Sequence, residues 1–403
     1  MPRPKYQYLE EEVDFIDIPS YLASETLEPK FYHKCSKTGI ERAAIGSIET
    51  LKTIPKIKNS DSRSCFYGGV FFNKSSTSKK DSLWKDFPSC IFFLPLLEII
   101  QDKEQTKIIH RFIKKRHYPS FIKTSAEELR DPPNLQKNIP EKEGWKSSVD
   151  EVLHTIKTKK IQKVVLARRS NFSIPSTTDF FYYLKKLLYK CPNTTTFAFQ
   201  TKPSSLFLGS TPEKLYHRIK NQIQIDAIAG TKKRGSTPED DAALKRELKQ
   251  GNKENQEIRL VTEFLLKKLK PLCENIELKT PLPDVIETDT VQHLYQNIKG
   301  SLKAHIKDWD IIKSLHPTPA VNGTPQLKAQ KTIEKLEPFS RGFYAGQIGW
   351  VSQKTAYFSV SIRSALLKQN HLYAFSGAGI VEGSNANMEW DELNHKISHW
   401  KNL

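Results

Sequence analysis

The chain has 403 residues, with 63 Lys or Arg against 45 Asp or Glu, a formal net charge of +18. At 37% hydrophobic and 27% charged residues it has the composition of a folded protein with a large core, not of a disordered one, and no stretch reaches the roughly 18 apolar residues of a membrane span. The lysines are dispersed rather than massed in one tail, so the charge argues for an anionic small-molecule substrate and against a nucleic-acid or membrane partner.

Residues 1–15 are polar and acidic and carry no apolar signal core. Up to residue 122, short apolar runs such as Cys65 to Phe72 and Cys90 to Leu97 alternate with turns, which predicts strands, mostly antiparallel. The longest apolar run, Cys90 to Ile100, is broken by Pro95 and Glu98 and reads as core strand and turn. Residues 123–144 form a polar, proline-containing connector. The chain therefore divides into a strand-rich portion, 1–140, packing on a second portion, 141–403. In the second, Trp145, Val149, Val152 and Ile156 keep helical spacing. Then follow a strand at Lys163 to Arg168, a helix at Asp179 to Lys190, and strands at Thr195 to Gln200 and Ser205 to Gly209. Leu244 to Leu269 reads as a long charged helix that Gly251 interrupts. Strands at Gly346 to Val351, Ala356 to Arg363 and His371 to Ser376 precede a closing helix from Ser384. Long runs of strands with a few helices indicate an α+β fold. The five cysteines, Cys35, Cys65, Cys90, Cys191 and Cys273, are widely spaced and form no C-x-x-C pair. Neither a zinc site nor a disulfide framework is indicated, and a reducing, cytoplasmic setting fits best.

Several segments carry chemistry. Ser376-Gly377-Ala378-Gly379 reads as a glycine-rich turn whose backbone donors meet an anion. Shortly after it, Glu389, Glu392 and Lys396 recur at i, i+3 and i+7, on one helical face. Two acids beside an anion cradle suit a divalent cation bridging them to a carboxylate substrate. Lys163 opens its strand and shares a face with Val165 and Ala167; it is either a solvent-reaching lysine or a desolvated base. Glu213, in Ser210-Thr211-Pro212-Glu213, is either an acid held rigidly at a sheet edge or part of a helix start capped by Thr211, and the cap is the plainer reading. Gly230 and Thr231 lie where a strand runs into a turn, Glu257 near Leu260 and Val261 on a charged helix, and His293 among apolar neighbours. The segment His316-Pro317-Thr318-Pro319-Ala320 is a stiff loop, and Arg363 sits among small residues, where burial would require a carboxylate partner.

In order, KVVLAR, GSTPE, AIAGTKKRG, KENQE, TVQHL, LHPTPAVNG, RGFYAG, SIRSA, SGAGIV and MEWDELNHK resemble the motifs of the chorismate-utilising enzymes. The resemblance is dense from Trp145 to Trp400 and looser before that. It implies two packed, mostly antiparallel β-sheets with surrounding helices and a site in the cleft between them. By the same resemblance Lys163 is the general base of the family's water-adding members and Glu213 their general acid. Lys163 would begin neutral and Glu213 protonated, states that burial favours. Glu257 and Glu392, with Glu389 beside them, are implied as ligands of Mg2+. Tyr344, Arg363, Lys396 and the Gly377-Ala378-Gly379 backbone would bind the carboxylates of chorismate. Gly230, Thr231, His293 and Ala320 would line the rest of its site. The chain is expected to act as a monomer. Ala229 stands where lysine-nucleophile members carry their lysine, which argues against that branch. His316 to Ala320 argues against the salicylate-forming branch. Ile258, Asn322, Gln347 and Ala386 depart from frequent family residues.

Overall fold

The computed structural model describes residues 6–57, 63–73, 82–112, 132–176, 179–288, 291–401 and 403. The connector expected over 123–144 thus lies outside the described residues as far as 131, as does Thr290 of the His293 motif.

Two antiparallel sheets make up the architecture. In the twelve-stranded sheet, Gln7–Val13, Thr106–Phe112, Leu97–Gln101, Glu41–Ile45 and Lys30–Lys34 lead without a break to Thr195–Lys202, Ser205–Thr211, Ser364–Lys368, His371–Ile380 and Lys163–Ser173. The ten-stranded sheet joins Val291–Leu302, Gln222–Lys233, Lys214–Ile219, Thr355–Val360 and Gln347–Ser352 to Cys65–Val70 and Cys90–Leu94. Strands from before and after residue 140 therefore share both sheets. This is the α+β arrangement that the sequence implies.

Strand alternation explains how the sheets pack. In Lys30–Lys34, Phe31 joins the core between the sheets while Tyr32 faces the other side. Phe197, Phe199 and Phe207 likewise face inward, and Ala198, Leu206 and Leu208 outward. The inner layer is largely aromatic: Phe343 meets Phe71, Phe87, Phe199 and Phe207 at 4.7–5.7 Å between ring centroids. Each such buried ring contributes about 1.5–3 kcal/mol. The outer face of the larger sheet is covered by the helices Ile18–Ser24 and Phe180–Lys190. No helix among the described residues is long and apolar enough to cross a membrane.

Local chemistry sets several boundaries. Asp179 caps the helix Phe180–Lys190 by accepting from the Phe181 N–H. The long charged helix is two, Pro238–Gln250 and Asn252–Leu269, with the break at Gly251 and a Thr237 cap before the first. Thr211-Pro212-Glu213 does not start a helix. It joins two strands, and Thr211 donates to the Val360 carbonyl and accepts from the Glu213 N–H instead of capping. The strand expected to reach Arg363 stops at Val360, and Arg363 takes a left-handed conformation with φ of 50°.

One buried ion pair ties these parts together. Along one side of Lys163–Ser173, the partner strand Gly323–Thr324 covers only Lys163 and Val164, and Asn134–Ile139 covers Arg169 onward. Between them the Ala167 N–H donates to Glu337 Oε1 at 2.8 Å, and the Val165 carbonyl accepts from Arg341 Nη2 at 2.7 Å. Arg341 also binds Glu337 Oε2 at 2.8 Å and the Val321 carbonyl at 2.8 Å. Both side chains are buried. Glu337→Ala leaves the guanidinium without its counter-ion, so urea unfolding should show a loss of about 3–5 kcal/mol. A loss below about 1 kcal/mol would show that the pair does not hold the strand.

Candidate active site

A cavity opens where the two sheets meet two helices. The larger sheet supplies Lys163 and Val165 from one strand and Gly377 and Gly379 from its neighbour. The smaller sheet supplies Ile228 to Thr231 and His293. Helix Asn252–Leu269 adds Lys253, Glu254 and Glu257, and helix Ala386–Lys401 adds Glu389, Glu392 and Lys396. Glu213, Ala320, Tyr344 and Arg363 complete the wall from loops. Every residue that the sequence nominates for the site is here except Ala378. Its side chain points to the opposite face of the strand, into the core beside Leu166 and Ile380.

The glycines work differently from the expected anion-cradling turn. Ser376 to Gly379 is not a turn but part of the strand His371–Ile380, paired through Arg168 to Val165. The glycines serve there by what they lack. A Cβ on Gly377 would lie 2.7 Å from the Tyr344 hydroxyl oxygen. One on Gly379 would lie 2.9 Å from Lys163 Cε and 3.6 Å from Glu257 Oε1. Gly230 does occupy a special backbone position: φ is 69°, at a bulge where the register shifts between Ala229 and Thr231. Its N–H donates to Glu257 Oε2 at 3.2 Å, so the bulge fixes that carboxylate.

At one side of the cavity, Lys163 is only 3% exposed and Glu213 6%. Burial pushes the Glu213 carboxyl up to about 8, against the pull of the Lys163 charge and of a 3.5 Å hydrogen bond from Thr318. This acid is protonated at neutral pH. Tyr344 stacks on Phe375 at 5.2 Å between ring centroids. Arg363 faces the cavity, where burial lowers its pKa. His293 bonds Thr231 Oγ1 through Nδ1 at 3.0 Å, and its Nε2 is buried without a partner. Burial and the charges of Arg363 and Lys396 bring its pKa down to about 3, so the ring is neutral.

Another part of the wall is acidic. Burial and the charge of Glu392 raise the Glu389 carboxyl, which accepts from Ser384 at 2.9 Å and Lys253 at 3.1 Å. Glu392 is drawn down despite burial because Lys396 lies 2.5 Å away. Among the described residues no three His, Cys, Asp or Glu side chains form a ready metal centre. The donor chemistry nevertheless fits a hard divalent cation, since Glu257, Glu389 and Glu392 offer only carboxylate oxygens to one shared cavity. Lys253 went unassigned in the sequence, although its place one helical turn before Glu257 puts it on the same face. Val165, Ile362 and Phe375 lack any such signal, because only the fold brings these apolar residues to the wall.

Comparison with known proteins bears on the family and the fold. Isochorismate synthase 2 of Arabidopsis thaliana is 32% identical over 83% of the chain, which spans 63% of that protein's length. A Catharanthus roseus isochorismate synthase is 36% identical over 66% of the chain, which spans 46% of it. The structure of MenF, the menaquinone-specific isochorismate synthase from Escherichia coli, superposes with a TM-score of 0.85 at 25% identity, covering 98% of this chain and 94% of that one. The sequence pattern described as chorismate binding enzyme matches residues 33–402, a span that holds both sheets' central strands and the whole cavity wall, and the chain belongs to that family.

Proposed function

We propose that the protein is an isochorismate synthase, an isomerase that turns chorismate into isochorismate by adding water at C2 with loss of the C4 hydroxyl. The observation that carries this reading is Glu213: a carboxyl held protonated by burial, in the same cavity as the buried amine Lys163. The similarity to isochorismate synthases from plants and bacteria supports the same choice. In this mechanism Lys163 takes a proton from the attacking water, and Glu213 gives its proton to the departing hydroxyl. The ring double bonds shift between the two carbons and the C4 hydroxyl leaves as water, so the product keeps the substrate's composition with one oxygen exchanged for that of the added water. Arg363 and Tyr344 hold one carboxylate, and Lys396 orients a second from the facing helix. Neutral His293, with Thr231 fixing its ring, packs at the substrate and adds no charge.

Mg2+ is proposed as the cofactor, held by Glu257, Glu389 and Glu392; when bound it neutralises and anchors a substrate carboxylate. Residues 141–403 then form the chorismate-binding part, since the cavity wall runs from Lys163 to Lys396, and 1–140 completes the sheets behind it. The reading carries with it a monomeric cytoplasmic enzyme. Incubation with chorismate and Mg2+ followed by product separation tests it directly. Isochorismate alone is expected, and salicylate or an aminated product would overturn the choice.

Lys163→Ala should abolish turnover while chorismate binding, read by calorimetry, stays within about threefold. Loss of binding would make Lys163 a substrate anchor instead. Because catalysis needs Glu213 protonated, activity should fall as pH rises through about 8. Glu213→Gln should lose about 10²–10⁴ in kcat, and its remaining rate should lack that alkaline limb. The folded pKa of Glu213 lies above the ordinary carboxyl value, so its contribution to stability declines as pH rises from about 4.5 to about 8. The melting temperature of Glu213→Gln should accordingly gain on the wild type over that range. Gly379→Ala should fold normally, since the nearest atom it meets belongs to the flexible Lys163 side chain. It should still cost about tenfold or more in kcat, by displacing the amine.

A further inference from the structure

We propose that Lys253 is a built-in stand-in for the divalent cation: its ammonium neutralises the glutamate wall when no metal is bound and must withdraw for a metal to enter. The inference rests on the assignment of Glu257, Glu389 and Glu392 as metal ligands and adds a residue that competes for their site.

The two lysines on this wall differ in a telling way. Lys396 is anchored twice, to Glu392 at 2.5 Å and to the Gly377 carbonyl at 2.9 Å, and its side chain is 19% exposed. Lys253 reaches across from the first turn of helix Asn252–Leu269 to Glu389 at 3.1 Å, and its side chain is 47% exposed. It therefore has one carboxylate partner among the described residues and an open path to solvent. A lysine's four-carbon stem swings out at small cost, and its point charge needs no fixed geometry.

The ammonium also occupies the electrostatic position of a cation. It lines the cavity together with Glu257, Glu389 and Glu392 and lies 3.1 Å from Glu389. These are the same three groups that offer oxygens to the cavity. Ammonium groups thus pair with both acids of the facing helix, Lys253 with Glu389 and Lys396 with Glu392. A cation arriving at Glu389 displaces this contact, so part of its binding free energy goes into breaking the pair. Bare affinity is thereby weakened, and a substrate carboxylate that adds to the site helps the metal over that barrier.

Mn2+ binding to the full-length chain without substrate, followed by electron paramagnetic resonance, tests the idea. Lys253→Met should tighten Mn2+ binding about five- to tenfold, and Lys253→Arg should leave it near wild type. Lys253→Gln replaces the Met variant should that one fail to fold. Unchanged or weaker Mn2+ binding in the charge-removed variants overturns the proposal. If Glu257→Gln and Glu389→Gln abolish Mn2+ binding while Lys253→Met does nothing, the metal site stands and only this inference falls. If Mn2+ binding ignores the glutamate substitutions, the metal assignment itself fails and takes the inference with it.

Discussion

The site depends on the buried Glu337–Arg341 pair more than on any residue that faces the cavity. A strand in the middle of a sheet has both edges satisfied by neighbours. Lys163–Ser173 does not, because the strands flanking one edge leave Val165 and Ala167 uncovered. An uncovered carbonyl and N–H in a dry interior each cost roughly 1–3 kcal/mol. A carboxylate and a guanidinium fill the gap as a third strand would, one accepting and one donating. The same guanidinium holds the Val321 carbonyl, next to the Ala320 wall of the cavity. The backbone that aims Lys163, the stiff loop and the turn leading to Tyr344 are thus fixed to one another by two side chains. A hydrophobic pair of equal size would stabilise the fold but would leave those backbone groups unmet.

With that frame rigid, the cavity separates its acids by environment. Glu213 sits among buried groups with a single cation acting on it, and burial wins. Glu392 is partly exposed, and a lysine at 2.5 Å holds its pKa down. Glu389 lies between these extremes, raised by burial and by Glu392 and drawn back by Lys253 and Ser384. One cavity therefore offers both a proton and anionic oxygens. Like groups acquire opposite roles because their surroundings differ, which is the general route to acid and base chemistry at one pH.

Much of this was legible in the chain. Alternating aromatics announced the strands, and ordered motifs nominated residues scattered over more than two hundred positions that the fold brings to one wall. Two errors have physical causes. Glycines in Ser376 to Gly379 suggested a turn because glycine is permissive, but there its use is to leave room for Tyr344 and Lys163, a need visible only once strands are paired. Thr211-Pro212-Glu213 matched a helix start in local chemistry, and the sheet overrode it. Glu337 and Arg341 were silent in the sequence, since a gap in a sheet edge has no local signature.

The departures from the family pattern show how tolerant the frame is and where it is not. Ile258, Asn322, Gln347 and Ala386 all lie outside the cavity wall. Ile258 is buried in the core with Val261. The Asn322 carbonyl accepts from the Val165 N–H and its side-chain amide donates to the Gln326 carbonyl, tying the loop to the strand that carries Lys163. Gln347 lies within a strand paired on both sides, a position where its backbone N–H is available to a ladder as a proline's is not. The carbonyl of Ala386 accepts from the Trp145 indole at 3.0 Å, an acceptor that every residue type supplies. These substitutions adjust the supports behind the wall and leave each charged group of the cavity where the chemistry needs it.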